Sequence, residues 1–364
     1  MKGALFRKPA KQPDRTERYA QLGLRRNPFP QEPALAPLAD DPRLNGEIYC
    51  DEIHEELSDS FTGMLLRTPD GNEPSPIAFL MDMATSRGRG IGKSAFLKHQ
   101  QERINKDLGA TATEDCEVAF ACHILPTSDP KCTKVWQFVR LIALSLVEDV
   151  VPLALGRTRA FVANLSDDDL NEIGPPEHWS ETLGNDTWMK ERSGKNFMSL
   201  QAGVTSRLER AGVNGELARV FARTKHDASG VGEYLDGWSD HKWRREGGTV
   251  LFDQLVRLFV AAEFTRGLFL VDEVEKIVWH QNTQERRAFV ESIRNYMVDG
   301  DCENVKRRFF GMLLTIHPGV QELLIPYWGP AGLDRLAPLS SGDNQRCVLR
   351  MGPLDVNLAI PLVK

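Results

Sequence analysis

TSRGRGIGKSAFL, residues 85–97, decides how the rest of the chain is read. Its glycines at 88, 90 and 92 let the backbone turn its N–H groups inward, and Lys93 and Ser94 follow at once. A turn of this kind cradles phosphate oxygens: the lysine reaches the β- and γ-phosphates and the hydroxyl is available to Mg2+. The strict pattern G-x-x-x-x-G-K-[ST] has glycine where this chain has Arg87, a position that leaves the strand and is not the one closest to phosphate. Upstream, PIAFLMDMA (76–84) is a short apolar run bounded by breakers and reads as a buried strand. Downstream, KSAFLKHQQERINKDLG (93–109) reads as a helix ending at Gly109. Strand, turn and helix are the context that a phosphate loop requires, and the helix N-terminus adds its own attraction for anions. Gly88, Gly90, Ile91, Gly92, Lys93, Ser94 and Ala95 are therefore the candidate nucleotide-binding residues. An ordinary glycine-rich turn is the other reading of the stretch by itself.

A second stretch shifts that balance. In GLFLVDEVEK (267–276), Leu268 to Val271 run into Asp272 and Glu273. A buried strand that ends in two carboxylates is unfavourable unless a cation meets them. Nucleotide-bound Mg2+ would do so, with Asp272 holding the ion and Glu273 polarising the attacking water. The alternative is a strand running into an acidic helix start, where Glu273 and Glu275 are favourable first-turn charges. Two further residues are candidates. Thr315, near the end of the apolar run LLTIHPG (313–319), can sense the γ-phosphate or the water beside it; His317 can do the same, or the strand simply ends before Pro318. Arg335, in the polar turn GPAGLDRLAPL (329–339), can complete a neighbouring subunit's site or form a surface salt bridge.

The rest of the chain fits an α/β fold. Its 364 residues allow one large domain with insertions or two domains, and the formal charge of -6 argues against a chain that coats nucleic acid over its whole surface. The six cysteines, at 50, 116, 122, 132, 302 and 347, form no CxxC pair and no zinc spacing with histidine, as in a reducing cytosol. The charged, Pro-bearing N-terminus is not that of a signal peptide. Val135 to Leu155, broken by Arg140, Glu148 and Asp149, reads as a buried amphipathic helix and not as a membrane span.

Residues 1–50 read as an arm and linker, 51–125 as the first part of a core, 126–248 as a helical insertion and 249–364 as the second part of the core. In the first part, Asp51 caps a helix through EIHEELSDSFTGMLL (52–66), and CEVAFACHIL (116–125) is a second strand. Within the insertion, IGPPEHWSETLGND (173–186) is loop material. GWSDHKWRREGG (237–248) mixes aromatic and basic side chains; it suits either nucleic acid or, as the blander reading, a solvated loop with partly buried tryptophans. In the second part, VLFDQLVRLFVAAEFTRG (250–267) puts Leu251, Leu255, Leu258, Phe259 and Ala262 on one helical face, RRFFGMLLTIHPG (307–319) is a strand, and QRCVLRMGPL (345–354) supplies a fifth. Alternating strands and helices predict a parallel sheet covered on both faces.

The order of phosphate loop, Asp-Glu strand end, polar strand end and late arginine resembles an AAA+ ATPase. With GLRRNPFP (23–30) and GEIYCDEIHEEL (46–57) ahead of the loop, the chain is similar to origin-recognition-like and transposition-type ATPases and to the ATP-binding proteins of BREX-type phage defence. The resemblance implies a three-layer P-loop NTPase sandwich around a five-stranded parallel sheet, with ATP and Mg2+ as cofactors. It gives Lys93 the role of phosphate anchor, Ser94 that of Mg2+ ligand and Asp272 that of Mg2+ organiser. Glu273 becomes the water activator, Thr315 the first sensor and Arg335 a trans-acting finger, while Phe29, Ile48 and Tyr49 would lie against adenine. It further implies a cytoplasmic homo-oligomer that assembles with ATP, on DNA or with a protein partner at the insertion, in mobile-element or phage-defence work. The insertion is far longer than a minimal core needs. The chain closes on VNLAIPLVK (356–364), which leaves no room for the family's C-terminal lid. A missing lid favours a second function, a nucleotide-gated interaction module with little or no turnover, whereas the Asp272–Glu273 pair favours hydrolysis. A P-loop kinase would carry an arginine-rich lid loop after the insertion and an acceptor site, and neither is present.

Overall fold

Five short apolar segments form one sheet: each is too short for a stable helix of its own, and a run that is apolar throughout suits a parallel strand buried on both faces. In the computed structural model they are β1 (Ile77–Asp82), β2 (Ala119–Ile124), β3 (Arg266–Val271), β4 (Phe310–Ile316) and β5 (Val348–Met351). The model describes residues 53–67, 74–82, 92–114, 116–126, 132–224, 228–299, 309–339 and 347–352. All four strand pairings are parallel, in the order β2-β3-β4-β1-β5. The fold is thus α/β with an all-parallel sheet, as the alternation of elements predicts.

The helices follow in chain order. α1 (Glu55–Leu65) precedes β1, and α2 (Lys93–Asp107) connects β1 to β2. Between β2 and β3 come α3 (Val135–Asp149), α4 (Val151–Ala163), α5 (Asp167–Ile173), α6 (Trp179–Thr182), α7 (Asp186–Ser193), α8 (Phe197–Arg210), α9 (Gly215–Arg223), α10 (Ser229–Asp236), α11 (Asp240–Glu246) and α12 (Thr249–Ala261). α13 (Glu275–Val278) and α14 (Thr283–Arg294) join β3 to β4, and α15 (Pro318–Trp328) follows β4. No strand occurs between 132 and 224 or between 228 and 261 among the described residues.

The strand order explains which face each helix covers. The connection leaving β1 runs across the sheet to β2, whereas those leaving β2, β3 and β4 step back the other way. Right-handed crossovers then send α2 to one face and the later helices to the other. Burial agrees. Phe79, Phe120, Cys122, Phe269, Met312 and Leu314 join a core with α3, α12 and α14. The alternate residues Ala78, Leu80, Ala121, Leu268, Leu270 and Leu313 are equally buried on the opposite face, where α1 and α2 pack. There Phe96 of α2 stands edge-on to Phe61 of α1, 6.0 Å between centroids. β2 is a sheet edge, and α2 blunts it: Asn105 donates to Ala121 O at 3.0 Å and accepts from Ala121 N at 2.8 Å.

Three readings of the insertion are corrected. Val135 to Leu155 is two helices, broken at Val150, because Pro152 cannot donate to the preceding turn and so sits at the start of α4. IGPPEHWSETLGND carries a 3-10 turn (Pro176–His178) and α6, held by Trp179 Nε1 donating to Gly174 O at 2.9 Å. GWSDHKWRREGG contains α11, capped by Ser239 accepting from Lys242 N, with Trp243 fully buried. Its buried indole is the apolar anchor that a loop reading overlooks. Arg157 ties the insertion to the sheet-bearing part of the chain, donating to Ala262 O at 2.8 Å and Gly109 O at 2.7 Å.

Gly267 in β3 marks the tightest point of the core. A Cβ there would stand 2.5 Å from the Phe120 ring and 3.0 Å from that of Phe310. Phe120 is itself packed by Phe259 at 4.6 Å and Phe264 at 5.0 Å, so its ring has nowhere to go. Gly267→Ala should therefore destabilise the chain by about 1–3 kcal/mol in urea unfolding, and Phe120→Leu in the same chain should recover part of that loss. Equal stability of Gly267→Ala and wild type would contradict this packing.

Candidate functional site

The carboxyl ends of β2, β3 and β4 bring together side chains far apart in sequence. Asp272 follows β3 directly, and its N–H donates to Ile124 O of β2 at 2.9 Å, so the residue extends the ladder and is 1 % exposed. The register pairs Leu314 with Val271 and so sets Thr315, the next residue of β4, beside Asp272. Thr315 Oγ1 donates to Asp272 Oδ1 at 3.1 Å. From α2, Ser94 Oγ donates to Asp272 Oδ2. The neighbouring Glu273 N–H donates to Asp272 Oδ1 at 2.8 Å.

This geometry depends on where α2 begins. Gly92 is its N-cap with φ 94° and ψ 13°, the left-handed region that glycine enters without strain. Phe96 N–H then donates to Gly92 O at 2.9 Å, which closes the first turn. Lys93, Ser94 and Ala95 are the first three helical residues, and all three are half-buried. Gly88, Gly90 and Ile91 lie outside the described residues, as do Arg87, Phe29, Ile48, Tyr49 and Asp51. Glu273, half-buried, has φ 44°, a left-handed conformation that costs a non-glycine residue on the order of 1–3 kcal/mol. Strain of this size is kept where neighbouring structure imposes it; here the constraint is the Asp272 carboxylate gripping the Glu273 N–H.

His123 belongs to the same cluster, and the sequence reading passed over it. It lies on β2 in phase with Ala119 and Ala121, on the face that α2 covers. Its Nε2 is 3.9 Å from Asp272 Oδ2, beyond hydrogen-bond reach, and has no hydrogen-bond partner. Its backbone N–H donates to Asp149 Oδ2 at 3.3 Å. The available signal was a lone imidazole in the apolar run AFACHIL. Burial pushes the Asp272 carboxyl up, but the His123 imidazole, the Ser94 hydroxyl and the Glu273 N–H outweigh it and hold the group below the usual carboxylate range. Asp272 is therefore an anion at neutral pH despite its burial.

The remaining candidates are apart from this cluster or differently engaged. His317 caps α15, its Nδ1 accepting from Gly319 N at 3.2 Å, so its ring is used by the fold. Arg335 is exposed in the turn after α15. Trp328 Nε1 donating to Ala337 O at 2.7 Å anchors that turn. Among the described residues no three His, Cys, Asp or Glu side chains gather as a metal site. The Ser94 hydroxyl and Asp272 carboxylate instead offer the small, hard oxygen set of a Mg2+ ion that takes its other ligands from phosphate and water. No helix among the described residues is long and apolar enough to cross a membrane. No family model, curated protein or solved structure matches this chain.

The lowered Asp272 value sets a pH dependence. Its contribution to stability is present above the unfolded carboxylate value, about 3.9, and is lost as pH falls through the lower folded value. The stability difference between wild type and Asp272→Asn should be constant from pH 7 to about 5 and should shrink in wild type's disfavour below about 4. A difference that stays flat down to pH 3 in urea titrations would contradict the assignment.

Proposed function

We propose that this chain binds ATP with Mg2+ at the start of α2 and hydrolyses it, as an AAA+ ATPase. The observation that carries the reading is the Ser94–Asp272–Thr315 contact, which joins a candidate phosphate loop to an ionised buried carboxylate. Ligands of parallel α/β sheets bind in the crevice outside the carboxyl ends of the strands where the direction of chain winding reverses, and β1 is such a point here.

In this reading Lys93 and the N–H groups at the start of α2 hold the phosphates. Ser94 and Asp272 would hold Mg2+, which when bound offsets charge on the β- and γ-oxygens. Glu273 takes a proton from water as that water forms its bond to the γ-phosphorus, and the bond from the γ-phosphorus to the ADP oxygen breaks. Thr315 fixes the Asp272 carboxylate, so it senses the γ-phosphate through that group. Hydrolysis would be coupled to ATP-dependent assembly of a homo-oligomer on DNA in mobile-element or phage-defence work, with Arg335 reaching a neighbour's γ-phosphate. A nucleotide-gated interaction module is the second reading. It draws support from the insertion's exposed apolar residues, Met198 at 78 % and Phe161 at 51 %.

Lys93→Ala should weaken ATP binding roughly tenfold to a thousandfold in calorimetric titration with the fold intact. Glu273→Gln should bind ATP and fail to turn it over. Unchanged affinity in the first variant would end the phosphate-loop reading. A wild type that binds ATP and never hydrolyses it would favour the gated module.

Arg335→Ala should bind ATP normally, lose roughly a thousandfold in rate, and regain part of it when mixed with Lys93→Ala chains. One interface of such a mixture combines an intact loop with an intact arginine. Absence of rescue, with a monomer at every ATP concentration, would leave Arg335 as a surface residue.

A further inference from the structure

His123 has no step in the chemistry above, yet the fold sets it against the carboxylate on which that chemistry turns. Its side chain is 5 % exposed, and its Nε2 is buried with no hydrogen-bond partner. Buried polar atoms are seldom left in this state, and each one calls for a physical reason. The register of β2 and β3 pairs Ile124 with Val271, and Asp272 extends that ladder by donating its N–H to Ile124 O. His123 lies one residue back on β2, and its Nε2 stands 3.9 Å from Asp272 Oδ2.

The two oxygens of Asp272 are used differently. Oδ1 accepts from Thr315 Oγ1 at 3.1 Å and from the Glu273 N–H at 2.8 Å, which fills its two lone pairs. Oδ2 accepts from Ser94 Oγ, and the next polar atom it meets is His123 Nε2. Oδ1 is thus committed to holding the fold, whereas Oδ2 stands between a hydroxyl and an imidazole. The 3.9 Å separation is too long for a hydrogen bond. It is short enough for one ion, because two metal–ligand bonds of about 2.0–2.2 Å bridge atoms up to about 4.2 Å apart. Ser94 is half-buried and the adjoining Gly92 is exposed, so the cluster lies within reach of solvent.

We propose that His123 Nε2 is a third ligand of the ion held by Ser94 and Asp272, and that this nitrogen biases the site from Mg2+ toward borderline first-row dications, Co2+ above all. Imidazole suits such ions, whereas Mg2+ takes oxygen ligands and gains little from a nitrogen. One nitrogen and two oxygens leave the remaining positions to phosphate and water. The competing role for His123 is a positioning one, in which the ring shifts by about 1 Å, donates to Oδ2 and never meets the metal. The inference rests on the metal-nucleotide reading above and concerns only which atoms ligate the ion.

The test uses the full chain, labelled with 15N in its histidines alone, together with ATP and Mn2+ as the paramagnetic probe. The label separates imidazole from the nitrogens of adenine. Pulsed electron paramagnetic resonance of wild type should show strong 15N coupling from a ligated imidazole. His123→Gln should still take up Mn2+ and should lose that coupling. In competition titrations against Mn2+, the ratio of Co2+ to Mg2+ affinity should fall on the order of tenfold from wild type to His123→Gln. The preference of ATP itself cancels in that comparison. Circular dichroism checks the fold of the variant, and the wild-type spectrum decides the matter without it. Mn2+ uptake with no 15N coupling in wild type would overturn His123 as a ligand and leave the metal-nucleotide site standing. So would a coupling that persists in His123→Gln, or a Co2+ to Mg2+ ratio that the substitution leaves unchanged. Absence of Mn2+ uptake in wild type would overturn both.

Discussion

Asp272 is an ionised carboxylate at the buried end of a buried strand, and the rest of the structure is arranged to make that tolerable. An isolated carboxylate in such a place would take up a proton or unfold its strand. Here three groups from three other segments meet it, Ser94 from α2, Thr315 from β4 and the nearby His123 of β2, together with the adjoining Glu273 N–H. None of these contacts is local apart from Glu273. They exist only because β4 is inserted between β3 and β1 and because α2 crosses over the face on which Asp272, Thr315 and His123 all point. The strand order and the site are one constraint seen at two scales.

The same arrangement leaves the other face of the sheet to the large helical insertion. That face is packed by aromatic rings around Phe120, close enough that β3 must carry Gly267 beneath them. The insertion is anchored by charge as well as by apolar burial. Arg159, buried among helices, donates to Ser180 O at 3.0 Å and stacks over the Phe197 ring, and burial lowers its guanidinium to about 10. A buried guanidinium satisfied by backbone carbonyls fixes the helices around it in one arrangement. The insertion is thereby held in one arrangement beside the sheet.

Much of this was legible in the sequence where the signal was local. The apolar runs of β1 to β5, the helix after the loop, and the Asp272–Glu273 strand end all follow from patterns of a few residues. The reading failed where distant packing decides. Nothing in 135–155 says that Val150 ends a helix except Pro152, and the helical period masked it. Trp243 reads as a loop tryptophan until α12 and the neighbouring helices close over it. His123 is invisible as a site residue because its relation to Asp272 spans nearly 150 positions and depends on β2 and β3 pairing in one register. Thr315 reads in the sequence as a sensor of the γ-phosphate or of the water beside it; that its hydroxyl donates to Asp272 is visible only in the fold.

The central claim is that the Ser94–Asp272 pair is a metal-nucleotide site, and the most direct measurement is electron paramagnetic resonance of Mn2+ in place of Mg2+. With ATP present, wild type should remove about one Mn2+ per chain from the free signal. Ser94→Ala and Asp272→Ala should each leave most of that Mn2+ free while the fold persists. Mn2+ uptake that is absent in wild type, or that both variants retain in full, would contradict the account.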